Sequence, residues 1–149
     1  VRSYSESNVF SPEETRLLRT ASWVVGHVSA RGPEVRCHEL SRAVGLVLEL
    51  PVQDGYYGFV DHSWLWTRPL DPSRPRNLTR LGFPNILDVY SVGQLPQVRL
   101  VGCEHPQLPH VGWAYRPGEE RFDIDAGLVD VLAEAMRSWL RPSSRSAAR

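Results

Sequence analysis

The chain reads as an α+β domain: an antiparallel sheet of about four to five strands packed against N-terminal helices and a C-terminal helix. Three observations predict this class. Apolar residues recur at helical spacing near both ends of the sequence. Between them lie short runs rich in Val, Leu, Tyr and Trp, each bounded by Pro, Gly, Asn or Asp. The whole is 149 residues long, the size of one domain with a core of its own.

Taken in order, Ser11-Pro12-Glu13-Glu14 is a helix start, with a serine cap, proline at the first helical position and a glutamate placed to close a capping box. Leu17, Leu18, Ala21, Val24, Val25 and Val28 then share one face until Arg31-Gly32-Pro33 stops the run. A second, short helix is expected through Val35, Cys37, Leu40, Ala43 and Val44 to a terminating Gly45, with Cys37 in its first or second turn. From Leu46 the texture becomes β: GLVLELPV, then DGYYGFVDHSWLW, NILDVYSVG and PQVRLVG. Thr67 to Phe83, rich in Pro and Arg, reads as a long surface excursion, and Cys103 to Gly118 has no period. The last helix begins near Asp123 or Asp125 and presents Ile124, Leu128, Val131, Leu132, Ala135 and Trp139. The expected boundaries are an N-terminal extension over 1–10, one domain over 11–141 and a disordered tail over 142–149.

Seventeen basic and seventeen acidic residues cancel, so no global field draws the chain to nucleic acid or to an acidic membrane. Every basic residue is arginine, which we read as codon bias of a GC-rich genome. No apolar run reaches the roughly twenty residues of a membrane span. The opening VRSYSESNVF lacks the charged and apolar regions of a signal peptide, so a cytoplasmic location is expected. Val1 is not an initiator methionine, which leaves a longer parent chain open. Phosphate loops, dinucleotide fingerprints and the Gly-x-Ser-x-Gly elbow are missing, and no cofactor is expected.

The chemistry concentrates in three places. On a strand, His62, Trp64 and Trp66 share one face and Asp61, Ser63 and Leu65 the other, so Asp61 is not the natural partner of its neighbour. In NILDVY, Asp88 shares a face with Ile86 and Tyr90, and from an adjacent strand it reaches the imidazole and fixes its tautomer. Cys37, near a helix N-terminus, is where a thiolate is favoured over a thiol. The face carrying His62 is expected to be the one turned toward the Cys37 helix.

Cysteine on a helix, histidine on the next strand and aspartate on the one after resembles the chain order of papain-like and transglutaminase-like cysteine enzymes. The pieces are VRCHELSRAVG, GFVDHSWLW and NILDVY, spanning Val35 to Tyr90. The resemblance implies a papain-like or transglutaminase-like core, with Cys37 as nucleophile, His62 as general base and acid and Asp88 as the orienting carboxylate. It also implies a protein or peptide substrate, cleaved, deamidated or transferred through an acyl-enzyme. Papain-like peptidases place a glutamine upstream of the cysteine, whereas the first glutamine here is Gln53. A second oxyanion donor therefore stays open, with Trp23, His27 and Ser29 as candidates.

Tyr56, Tyr57, Trp64 and Trp66 read first as core and sheet surface. Trp64, on the face of His62, and Tyr57 are the candidates for substrate contact. Two rival readings remain. One is a non-catalytic domain that binds a protein through the 67–83 loop and the Cys103 to Pro117 segment. The other is a zinc-stabilised module using Cys103, His105 and His110 with Cys37 and His38, although the spacing matches no common zinc pair. The arginines of DPSRPRNLTR make a local basic loop whose commoner role is solvation rather than nucleic-acid contact.

Overall fold

The computed structural model describes residues 10–31, 35–70, 84–90, 96–102, 115–118 and 122–142. Among them are the helices α1 (Pro12–Arg31), α2 (Cys37–Leu48) and α3 (Ala126–Leu140), and the strands β1 (Val52–Tyr57), β2 (Val60–Trp66), β3 (Ile86–Asp88), β4 (Arg99–Val101) and β5 (Tyr115–Pro117). The strands form one sheet in the order β4-β3-β2-β1-β5, antiparallel at every pairing. The described residues are thus α+β, with a five-stranded sheet against three helices. The expected 67–83 excursion and the Cys103 to Pro117 segment fall largely outside the described residues, as do most of the N-terminal extension and the tail. Phe10, assigned to that extension, is buried.

The capping box forms in both directions: the Glu14 N–H donates to Ser11 Oγ at 3.1 Å and the Ser11 N–H to Glu14 Oε1 at 3.0 Å. The other oxygen of Glu14 accepts from Thr67 Oγ1 at 2.7 Å and Asn85 Nδ2 at 2.9 Å, pinning the start of α1 to the ends of β2 and β3. Ala21, Val24, Val25 and Val28 are buried as the spacing predicts.

Helix α2 starts at Cys37 itself and runs past Gly45 to Leu48, closing on Glu49 in the left-handed region at φ 57°. Gly45 is therefore not a stop. A Cβ there would meet Val52 Cγ2 at 2.9 Å and the Leu50 carbonyl oxygen at 3.0 Å, so its missing side chain lets the helix close onto β1. Leu46–Leu48, read as strand, is the last helical turn. A short apolar run bears either structure, and here the face of Leu40, Ala43 and Val44 simply continues to Val47.

The aromatic stretch is not one strand but a hairpin. Gly58 takes φ 61° at the first central position of a two-residue turn, and the chain doubles back so that Gly55 faces His62 and Asp54 faces Ser63. At the sheet edge β1 and β5 come so close that a Cβ on Gly55 would lie 2.1 Å from the Arg116 carbonyl oxygen.

Helix α3 is capped by Asp125, whose Oδ1 accepts from the Leu128 N–H at 3.0 Å. Its buried stripe is Val129, Leu132, Ala133 and Met136, and Val131, expected inside, is 67% exposed. The apolar stripe is rotated from the expected one because Val129, Ala133 and Met136 complete the helical face shared by Leu132.

The sheet has two apolar sides. Leu65, Leu87 and Val89 join the three helices in the main core. Trp64, Trp66, Ile86, Val101 and Tyr115 form a second cluster on the opposite face. That face is concave, since Tyr115 of one edge strand meets Arg99 of the other edge strand and Asp88 of its neighbour. His62 lies on the concave side, not on the side that α2 covers. Cys37 reaches it from the end of the helix.

Candidate active site

The site is assembled where β3 stops. Thr67 N donates to Asn85 O at 2.9 Å and Leu65 pairs with Leu87. By the two-residue period the Ser63 N–H points to the same side. β3 ends at Asp88, so the strand ladder stops short of that donor, and the Ser63 N–H is near enough to the sulfur of Cys37 to favour its thiolate.

Cys37 is the first residue of α2. Its cap, Arg36, is extended at φ −80° and ψ 158° and gives no side-chain hydrogen bond to the helix end. The first intrahelical bond is Leu40 N to Arg36 O at 3.1 Å, so the N–H groups of Cys37, His38 and Glu39 have no partner inside the helix. Arg36 instead bonds Glu39 Oε1 and, at 2.7 Å, the carbonyl of Asp123, tying this end of α2 to the segment before α3.

His62 is 2% exposed, and its Nε2 donates to Asp88 Oδ2 at 2.9 Å. Asp88 is fully buried and fully bonded. Its Oδ1 accepts from the Tyr90 N–H at 3.0 Å, and Oδ2 accepts a second bond from the Tyr115 hydroxyl at 2.5 Å. Strand β3 turns away after Asp88, so Tyr90 leaves the face it was expected to share and packs against the helix-side core. Arg99 Nη2 donates to the Tyr115 oxygen at 3.0 Å, with its guanidinium 5.8 Å from the Tyr57 ring centre. With Nε2 committed to a carboxylate, Nδ1 is the nitrogen left to interact with the sulfur of Cys37, whose titration the ring shifts.

Burial pushes the Cys37 thiol up. The hydrogen bonds from His38 and His62, the imidazolium charge and the Ser63 N–H outweigh it and bring the thiol down to about 6. Burial pushes His62 down, but its bonds to Asp88 and Cys37 and their negative charges raise it to about 9. Between those values the stable form is a thiolate beside an imidazolium. Burial and the Asp88 charge hold the Tyr115 phenol well above its ordinary range, so it stays protonated and remains a donor.

His62 is thus hydrogen-bonded to Asp88 and close enough to Cys37 for each to shift the other's titration. The expected substrate contacts are divided. Trp64 is wholly buried, stacked beneath His62 with ring centres 6.2 Å apart, so it is a floor rather than a cleft wall. Tyr57 is half-buried and stands edge-on to His62 at 6.1 Å. Trp23 and His27 pack together, with His27 against Trp139 of α3, and neither has a hydrogen bond to Cys37. Ser29 is exposed. Among the described residues no group of three or more His, Cys, Asp or Glu is placed to hold a metal. Cys103, His105 and His110 lie outside them.

The sequence offers His38 only as a zinc ligand and gives Ser63 and Asp54 no role, since their pairing depends on the turn at Gly58, which sets Asp54 opposite Ser63. Tyr115 and Arg99 carried no sequence signal. The chain matches no protein-family model, no curated protein and no solved structure.

Proposed function

We propose that the chain is a cysteine hydrolase or acyltransferase of papain-like or transglutaminase-like architecture, acting on an amide or thioester through an acyl-enzyme on Cys37. The observation that carries the reading is the run from a half-buried sulfur through a buried imidazole to a buried, fully bonded carboxylate.

The thiolate attacks the substrate carbonyl carbon, and the oxygen takes the negative charge. The free N–H groups at the start of α2 offer donors for that charge, which forms beside the nucleophile. His62 gives its proton to the leaving amine or thiolate as the bond to carbon breaks, leaving an acyl-thioester on Cys37. Neutral His62 then takes a proton from water or from an acceptor amine. That nucleophile attacks the thioester, the C–S bond breaks, and the thiolate–imidazolium pair returns. Asp88 holds the ring with Nε2–H inward and stabilises the cation.

A generic activated ester, p-nitrophenyl acetate, tests the reading. The expected result is a burst of nitrophenolate matching the enzyme present, with the acetyl group found on the Cys37 peptide. The burst vanishes in Cys37→Ala and slows in His62→Ala, with circular dichroism unchanged in both. A folded protein whose Cys37 stays unacylated between pH about 6 and about 9 overturns it and leaves the non-catalytic interaction domain as the alternative.

A further inference from the structure

A second chain of polar groups reaches Cys37 from the opposite flank. Arg42 Nη2 donates to Asp54 Oδ2 at 2.5 Å, and Arg42 Nη1 to the His38 carbonyl at 3.0 Å. The Ser63 hydroxyl donates to Asp54 Oδ1 at 2.6 Å. His38 Nδ1 lies 2.6 Å from the same Ser63 oxygen and 3.7 Å from the sulfur of Cys37. Ser63 is itself fixed by Ser41, which donates to its carbonyl at 3.1 Å, and the His38 ring is stacked on Phe122 with centres 4.2 Å apart.

The proton positions follow from what each group can do. A carboxylate only accepts, so the single hydroxyl proton of Ser63 goes to Asp54. The Ser63 oxygen must then accept from His38, which makes Nδ1 the protonated nitrogen. That N–H sits between the serine oxygen and the cysteine sulfur. Nothing in the reaction outlined above uses these groups, yet His38 and Ser63 are both buried.

We infer that His38 is a positioning residue: a second imidazole donor to the nucleophile, held in its donating tautomer by the Asp54–Ser63 relay. The inference rests on the reading of Cys37 as a thiolate nucleophile and names what holds it besides His62. Two imidazoles on two sides fix the direction of the sulfur lone pairs, so the thiolate does not swing with His62 when that ring moves its proton to the leaving group. The charged and titratable groups around the sulfur are His38, Arg36 and Arg42 on or beside α2, Asp54 on β1, His62 on β2, Asp88 on β3, and Asp123 through Arg36.

The test is the pH midpoint of iodoacetamide labelling at Cys37, resolved by peptide mass spectrometry, in the full chain. His38→Phe is expected to raise the midpoint by about one unit, and His38→Gln, which keeps a side-chain N–H, to restore part of it. Asp54→Asn is diagnostic in sign. Removing a nearby negative charge alone lowers the midpoint, whereas losing the relay that holds the His38 tautomer raises it. An unchanged midpoint in His38→Phe, or a fall in Asp54→Asn, overturns the inference. His62→Ala, run in parallel, reads the pairing of Cys37 with His62 separately: a midpoint that moves with His62 and not with His38 leaves that pairing standing and removes the second donor. The converse removes the pairing and keeps the donor.

Discussion

The two faces of the sheet lie one residue apart along every strand, yet they are built from different materials. Leu65, Leu87 and Val89 turn toward the helices into a mainly aliphatic core, with Tyr90 and Trp139 packed against it. His62, Trp64, Trp66, Asp88 and Tyr115 turn the other way into aromatic rings and hydrogen bonds. The aliphatic side is held by shape and area, which many side chains supply. The aromatic side is held by directed bonds to a buried carboxylate, where each missing donor leaves an unpaired acceptor. Aliphatic packing and the bonds to the buried Asp88 are thereby divided between alternate residues of the same strands, while Ser63 and Asp54 bring polar groups to the helix side near Cys37.

Substitutions on the two faces test this division. The largest effect is expected at the junction itself: Cys37→Ala lowers acylation by at least about a thousandfold, measured as the nitrophenolate burst, with little change in melting temperature. Next, Asp88→Asn lowers the same rate by about a hundredfold by loosening the His62 tautomer, and the Cys37 labelling midpoint rises with it. Third is the pH dependence. Thiolate accumulates above about 6 and imidazolium is lost above about 9, so kcat/KM for acylation rises through the first value and falls through the second. A flat profile over that interval excludes the pair. The smallest effects separate the faces most cleanly. Leu65→Val on the helix side costs about 1 kcal/mol in urea unfolding with the burst unchanged. Tyr115→Phe on the concave side costs a similar amount but slows the burst several-fold.

Much of this is legible in the sequence. Period-two alternation separates His62 from Asp61 and sets Asp88 opposite Leu87, and the capping box at Ser11 and Glu14 needs only local rules. Legibility fails where a short segment obeys two rules at once. Leu46–Leu48 suits a strand as well as a helix end, and the helix already under way decides it. Gly58-Phe59 hides a turn inside an aromatic run because only the glycine signals it. β5 is a three-residue strand, Tyr115–Pro117, that ends in proline, and its pairing with β1 is a tertiary matter with no local period. Tyr115 and Arg99 were invisible for that reason, since they meet Asp88 only once the sheet has curled.

Gly55 carries no side chain because β5 passes against its backbone, and β5 in turn carries Tyr115 to Asp88. Even a methyl group at that position would wedge the edge strand outward. The proton donor on the carboxylate behind His62 would then be drawn away with Cys37, His62 and Asp88 all unaltered. The tolerance of this site to genetic drift is thus set partly at a residue with no functional atom, two strands from the aspartate whose environment it guards.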